Sequence, residues 1–142
     1  MLAKSWKHII HFIPREFDDP LIPNSHQHIS SQTVILLDKL RCILNRKIIT
    51  HWKIGGCVDV NGSHGHSDDS RHLVANGSDA VDFHIDTNMN IWWQYNYVCQ
   101  CGFGGIGVYL WWKHPGFHVD CRLRSETLHW ISRQKGQYEY FR

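Results

Sequence analysis

Histidine and aspartate residues cluster in the stretch SRHLVANGSDAVDFHID, residues 70–86 of the 142-residue chain. Its segment AVDFHI alternates between polar and apolar residues, so Asp82 lies on the polar face of a predicted strand. The segment GFHVDCRLR alternates in the same way and places His118 and Asp120 on one face. Catalytic zinc takes three ligands from His, Asp, Glu and Cys and leaves a fourth position for water. Two such strands, with His72 before the first, could supply a zinc site, although a polar, histidine-rich surface explains any one of these residues.

The elements that must position these residues are one helix and several short strands. A helix is predicted for SSQTVILLDKLRCILN, where apolar residues recur every three to four positions, Ser30 or Ser31 can cap the start and Asn45 suits the end. Strands are predicted for KIITHW, AVDFHI, GGIGVYLWW and GFHVDCRLR, and two short strands for the C-terminal LHWISRQKGQYEYF. The Gly-, Ser-, Asp- and His-rich segment 55–70 is predicted to be a loop. His64 and His66 are expected to be exposed there, and the alternative is that they shape the cleft.

Composition limits the class of protein. The length predicts one domain over residues 1–142, and a net charge of +2 is too small to indicate a nucleic-acid partner. No apolar run approaches the roughly 20 residues that cross a bilayer, and no signal peptide is predicted. Five cysteines cannot all pair, which indicates a reduced chain made in the cytoplasm. The Cys99-x-Cys101 pair is a weak zinc signal, and two thiols in a turn or strand are the preferred interpretation.

Three ordered motifs resemble a known family. The segment SRHLVANGSDAVDFHI resembles the S-x-H…G…A-V-D-F signature of zinc D-Ala-D-Ala carboxypeptidases and the related phage endolysins. GGIGVYLWWKHPGFHVDCR is similar to their second signature, and HFIPREFDDP resembles their opening segment. LLDKLRCIL and IITHWKIGG match the first helix and the following strand and turn. The resemblance implies an α+β fold (the lysostaphin/D-Ala-D-Ala/hedgehog metallopeptidase fold) in which helices pack on a small antiparallel sheet that holds zinc on one face.

The resemblance also implies roles for individual residues. The zinc ligands would be His72, Asp82 and His118. Ser70 stands at the serine of the first signature, and Lys53 is nearest to the family's usual arginine for a substrate carboxylate. Both are therefore expected to contact substrate.

Two departures from the family pattern leave alternatives open. Asp82 comes ten residues after His72, whereas the family's common spacing is seven, which is the position of Asp79. Asp82 is preferred because the surrounding AVDF matches, and Asp79 remains the alternative ligand. Pro115 stands at the place of the family's usual catalytic Glu and cannot act as a base. Asp120 is the first candidate for the general base, and His114 is the second.

These observations predict a zinc peptidase. The expected reaction is hydrolysis of a peptidoglycan stem peptide by metal-activated water, at a D-Ala-D-Ala bond or at an internal bond. The protein would act at the cell wall after release or export, with no nucleic-acid or membrane partner, and no oligomeric state is predicted. One alternative is a catalytically degenerate module that holds zinc and binds wall peptide. Another is a histidine-rich interaction protein with adventitious metal affinity.

Overall fold

Helix α1 covers Ser31–Leu44 in the computed structural model, which describes residue 1 and residues 3–142. Ser30 precedes it as the N-cap, and Asn45 ends it in a left-handed conformation with φ of 50°, which asparagine tolerates well. The bounds of the predicted helix are therefore confirmed, but the Ser30 side chain makes no capping hydrogen bond. Its buried apolar side chains are those of the predicted stripe: Val34, Leu37, Leu40 and Leu44.

Six strands form one sheet. They are β1 (Ile48–Thr50), β2 (Val81–Ile85), β3 (Gly105–Tyr109), β4 (Gly116–Asp120), β5 (Leu128–Ser132) and β6 (Glu139–Phe141). Their order across the sheet is β1-β2-β4-β3-β5-β6. Every predicted strand is thus present within a mixed α and β fold.

The sheet is mixed, which corrects the expectation of an antiparallel one. β3 and β5 run parallel, with Gly105 opposite Leu128, and the other neighbouring strands are antiparallel. Because β3 and β4 are antiparallel, the end of β4 lies beside the start of β3. The connection from β4 to β5, residues 121–127, is short. Because β5 begins at that same end of the sheet, on the other side of β3, it must run in the direction of β3.

A second helix, α2, covers Ile91–Cys99 and was not predicted. The side chain of Asn90 caps it by accepting a hydrogen bond from the backbone N–H of Trp92. Short 3-10 helices complete the structure at Ala3–His8, Pro14–Phe17, Ser25–His28, Trp52–Ile54 and Val74–Asn76. Among the described residues, none of the helices has the length and apolar character that crossing a membrane requires.

The core lies on one face of the sheet. Val81, Phe83 and Ile85 of β2 are buried, and the rings of Phe83 and Phe117 on the adjacent strand lie 5.6 Å apart. Since side chains alternate along a strand, Asp82 and its polar neighbours are directed to the opposite face. The core therefore fixes which residues of β2 and β4 can form a site.

Candidate metal centre

The register of β2 and β4 brings two of the predicted ligands together. Asp82 lies directly opposite His118 in the antiparallel pair. The Nδ1 atom of His118 is 2.9 Å from Oδ1 of Asp82. Asp82 and His118 come from two different strands, and their side chains lie on the same face of the sheet.

The loop before β2 supplies His72, the third predicted ligand. The residue is only 3% exposed, and its Nδ1 lies 3.0 Å from the backbone carbonyl of Cys57, to which it donates. Because that bond occupies Nδ1, Nε2 is the ring nitrogen that remains to face the site, and it lies 3.3 Å from Oδ1 of Asp82. Nitrogen atoms of His72 and His118 therefore converge on one carboxylate oxygen.

The charges in this centre are strongly coupled. Burial alone would raise the pKa of Asp82, but His72 and His118 hold it well below its ordinary value. Burial alone would lower the pKa of His118, but hydrogen bonds to Asp120 and Asp82 raise it to about 9. Without a metal, a proton on His118 balances these carboxylates. A divalent cation in the same place would displace that proton.

Asp120 contacts the His118 ring on the side opposite Asp82. Its side chain is completely buried, and its Oδ2 lies 3.0 Å from Nε2 of His118. Arg122 donates to both carboxylate oxygens, from Nε at 2.7 Å and from Nη2 at 2.6 Å. With both oxygens engaged, Asp120 is placed to orient His118. This position does not suit the general-base role expected from the sequence.

The glycine-rich strand β3 leaves room beside His118. Gly107 is the β3 residue opposite His118, and a Cβ atom at Gly107 would lie 2.4 Å from the ring of Trp130. That ring packs 5.3 Å from the His118 ring and lies under the Arg122 guanidinium at 5.4 Å. The absence of a side chain at this position thus lets Trp130 cover His118.

Asp79, the alternative ligand, is held elsewhere. Arg71 donates to it from Nε at 2.8 Å and from Nη2 to its second oxygen. Both carboxylate oxygens are therefore paired with a guanidinium, whereas Asp82 faces histidines. The geometry favours Asp82 over Asp79 as the ligand.

A further histidine, His66, joins the centre. Its ring stacks on that of His72, with centroids 4.4 Å apart and planes 11° apart. One ligand atom each from His66, His72 and Asp82 lie within 4.8 Å of one another. The Nδ1 atom of His66 is 2.8 Å from Oδ2 of the buried Asp59. The expectation of an exposed loop residue missed this contact, for which the only sequence signal is a histidine pair flanking Gly65.

His64, in the same loop, pairs with a buried carboxylate from an earlier part of the chain. His64 Nε2 lies 2.8 Å from Oδ1 of Asp19, whose side chain is 1% exposed. Asp19 also accepts the backbone N–H groups of Leu21 and Val60. Asp19, Asp59 and His64 form a second group of candidate ligand atoms within 4.8 Å. Their hydrogen bonds within the chain suit a role in holding the loop.

A cleft of about 650 Å³ opens beside the centre. Asp82 and His66 contribute to its wall, together with His51, Trp52, Lys53, His84, Trp111, Trp112 and His114. Lys53 and His114 therefore both line this cleft. Ser70 contributes nothing to this wall, and its Oγ instead accepts the backbone N–H of His72 at 3.3 Å.

Three histidines in the cleft are linked. Nε2 of His51 is 2.9 Å from Nδ1 of His84, and the rings of His84 and His114 stack at 4.7 Å. Burial lowers the pKa of His51 to about 4 and also lowers the pKa of His84. His51 is therefore neutral at pH 7.

Comparison with known proteins returns no match from family models, curated proteins or solved structures. The likeness to the zinc carboxypeptidases therefore consists of the ordered sequence motifs alone.

Proposed function

We propose that this protein is a zinc-dependent peptidase that hydrolyses peptidoglycan stem peptides. The observation that supports the proposal most directly is the convergence of His72 and His118 on Oδ1 of Asp82. The other ring nitrogen of each histidine has a hydrogen-bond partner, which is the Cys57 carbonyl for His72 and Asp120 for His118. Metal-binding histidines have this arrangement in proteins, because the outer hydrogen bond fixes the tautomer and the ring orientation.

The donor set fits zinc. Two imidazole nitrogens and one carboxylate oxygen are ligands that catalytic zinc uses. Zinc bound there would lower the pKa of a coordinated water to about 7 and would polarise the peptide carbonyl. Arg122 and Asp120 keep the His118 ring fixed throughout the reaction.

The proton acceptor would come from the cleft, because Asp120 is fully engaged. His114 is the candidate that the sequence supplies, and it lines the cleft in stacking contact with His84. His84 lies on the same face of β2 as Asp82. The His114 imidazole would take the proton from the attacking water.

The cleft suits a peptide that carries a carboxylate. Trp52, Trp111 and Trp112 supply aromatic wall area, and Lys53 supplies a positive charge. Lysine binds a carboxylate as a point charge, with less geometric selectivity than arginine. With peptidoglycan as its substrate, the protein would act at the cell wall, after its release or export.

Metal content and hydrolysis together test the proposal. Purified wild type should carry about one zinc ion, which His72→Ala, Asp82→Ala and His118→Ala should lose. Asp79→Ala is the matched control and should retain zinc. Zinc-loaded wild type should cleave a synthetic stem pentapeptide, and His118→Ala should not. Absence of zinc from supplied wild type, or equal cleavage by His118→Ala, would contradict the proposal.

A binding module is the second candidate. Pro115 stands where the resembled family has its catalytic Glu, and Asp120 is engaged by Arg122 and His118. These two observations favour a site that holds zinc and binds wall peptide without turnover. Stoichiometric zinc and measurable peptide affinity, with no cleavage under any metal loading, would select this alternative.

A further inference from the structure

The candidate metal position has an additional imidazole beside it. His66 belongs to the loop between Asp59 and His72, not to the sheet that carries Asp82 and His118. Its ring stacks on His72 at 4.4 Å, and a ligand atom of each of these two histidines lies within 4.8 Å of the other and of Asp82. A metal ion held by His72 and Asp82 would therefore lie within reach of His66.

Asp59 fixes the orientation of His66. The Asp59 side chain is completely buried, and its Oδ2 lies 2.8 Å from Nδ1 of His66. The other carboxylate oxygen, Oδ1, accepts the backbone N–H of Gly62 at 2.8 Å, which ties the carboxylate to the loop. With Nδ1 engaged, Nε2 is the ring nitrogen of His66 that a metal can take. Asp59 thus orients the His66 ring in the same way that Asp120 orients the His118 ring.

His64 lies two residues away in the same loop but has a different partner. Its Nε2 is 2.8 Å from Asp19, and it belongs to a separate group of candidate ligand atoms. The two loop histidines are therefore similar in chemistry and in contact with a buried carboxylate. Only His66 faces the His72–Asp82 centre, so His64 provides a matched control.

We propose that His66 is a fourth protein ligand, which completes and closes the metal site formed by His72, Asp82 and His118. The inference rests on the proposed metal site and adds a mode of regulation to it. Four protein ligands are typical of closed sites, whereas three leave a position for water. With four side chains on the metal, His66 would have to give up its place before a water could bind and hydrolysis could occur. No change in oxidation state is involved.

The test uses the full chain loaded with Co²⁺, whose visible absorption and X-ray absorption report coordination number and nitrogen ligands. Wild type should show a four-coordinate site with three imidazoles. His66→Ala and the more conservative His66→Gln should each lose one imidazole and gain an oxygen ligand. Chelator competition should show metal affinity falling at least about tenfold. His64→Ala removes a loop contact but no proposed ligand, so it should keep all three imidazoles in the spectrum and lose less metal affinity than either His66 variant. Circular dichroism of the metal-free variants checks that each is folded.

The outcomes separate this inference from the proposed function. One outcome is that wild type binds metal through His118 while both His66 variants behave like His64→Ala. This result would overturn the assignment of His66 as a ligand and leave the peptidase proposal standing. Loss of an imidazole in the His66 variants supports the inference even when no variant hydrolyses peptide. Absence of metal binding by wild type would overturn both.

Discussion

Oδ2 of Asp120 lies 3.0 Å from Nε2 of His118, and the opposite nitrogen of the same ring faces Asp82 at 2.9 Å. A buried carboxylate, an imidazole and a second carboxylate thus form one continuous chain across the sheet. Arg122 anchors its inner end through two hydrogen bonds. The position of the His118 ring is therefore set by Asp82 on one side and by Asp120 on the other.

Replacing the inner carboxylate should weaken metal binding without abolishing the fold. Asp120→Asn removes the charge that holds His118, and the loss of such an orienting partner typically costs about 10–100-fold in metal affinity. Competition with a chromophoric chelator measures this change.

The matched control is Asp79→Asn. Asp79 is also mostly buried and also pairs with an arginine, Arg71, but it forms no hydrogen bond or ion pair with His72 or His118. Its replacement should leave zinc affinity within about threefold of wild type, well short of that loss. Equal losses in both variants would show that the Asp120 effect is a general loss of stability.

Metal-free protein should lose stability as pH rises above neutrality. The ordinary pKa of histidine is about 6.5, and that of His118 is raised to about 9. The stabilisation from protonated His118 is therefore complete below pH 6.5 and is lost as pH rises through 9. Urea titrations across this range measure it. Saturating zinc should remove this dependence, because the metal replaces the proton, and persistence of the slope in His118→Gln would contradict the assignment.

Acidification should also destabilise the metal-free protein. Burial lowers the pKa of His51 to about 4, so the unfolded chain binds a proton at this residue that the folded chain does not. Stability is therefore lost as pH falls from 6.5 through 4. Thermal unfolding of His51→Gln should show a shallower acid dependence than wild type. His28→Gln, which changes an exposed histidine, should show the same dependence as wild type.

Zinc should stabilise the fold in proportion to its binding. At a free zinc concentration one hundred times Kd, the free energy of unfolding should rise by about 2.7 kcal/mol. His72→Ala should lose this increment, because it removes a nitrogen that faces Asp82. Calorimetric melts with and without zinc measure the effect. Asp79→Ala should retain the full increment, and its loss there would move the ligand assignment to Asp79.

Lys53 should contribute to substrate binding more than to chemistry. It is an exposed residue on the cleft wall, so its pairing with a substrate carboxylate is worth up to about 1 kcal/mol. Lys53→Ala should raise KM about threefold to fivefold with kcat unchanged. Steady-state kinetics on a stem peptide measure both constants. Lys135→Ala, in the turn before β6, is the charge-matched control and should leave KM unchanged.

Much of the fold and part of the site follow from sequence patterns. Helix α1 has a clear apolar period and caps, and β2 and β4 alternate cleanly, which brought Asp82 and His118 to one face. Helix α2 was missed because its sequence IWWQYNYVC is rich in aromatic residues, which favour strands and obscure a helical period. The parallel pairing of β3 and β5 depends on the path of a connection, which side-chain alternation does not encode.

The loop residues were harder to predict than the strand residues. His66 and Asp59 meet because of the tertiary path of the chain between them, and no periodic pattern marks that path. The role of Asp120 depends on Arg122, whose side chain the alternation assigns to the same face without showing that the two pair. Strand residues are positioned by a local repeat, whereas loop residues are positioned by contacts with the rest of the protein.

The pairing of Asp82 with His118 makes the centre a reporter of strand alignment. A slip of one residue between β2 and β4 would bring Phe83 or Phe117 to the position of a ligand. It would also direct a polar side chain into the apolar core. The proposed metal site and the correct strand register would therefore form in a single step. During refolding, the appearance of Co²⁺ absorption would time the moment at which these two strands reach their native alignment.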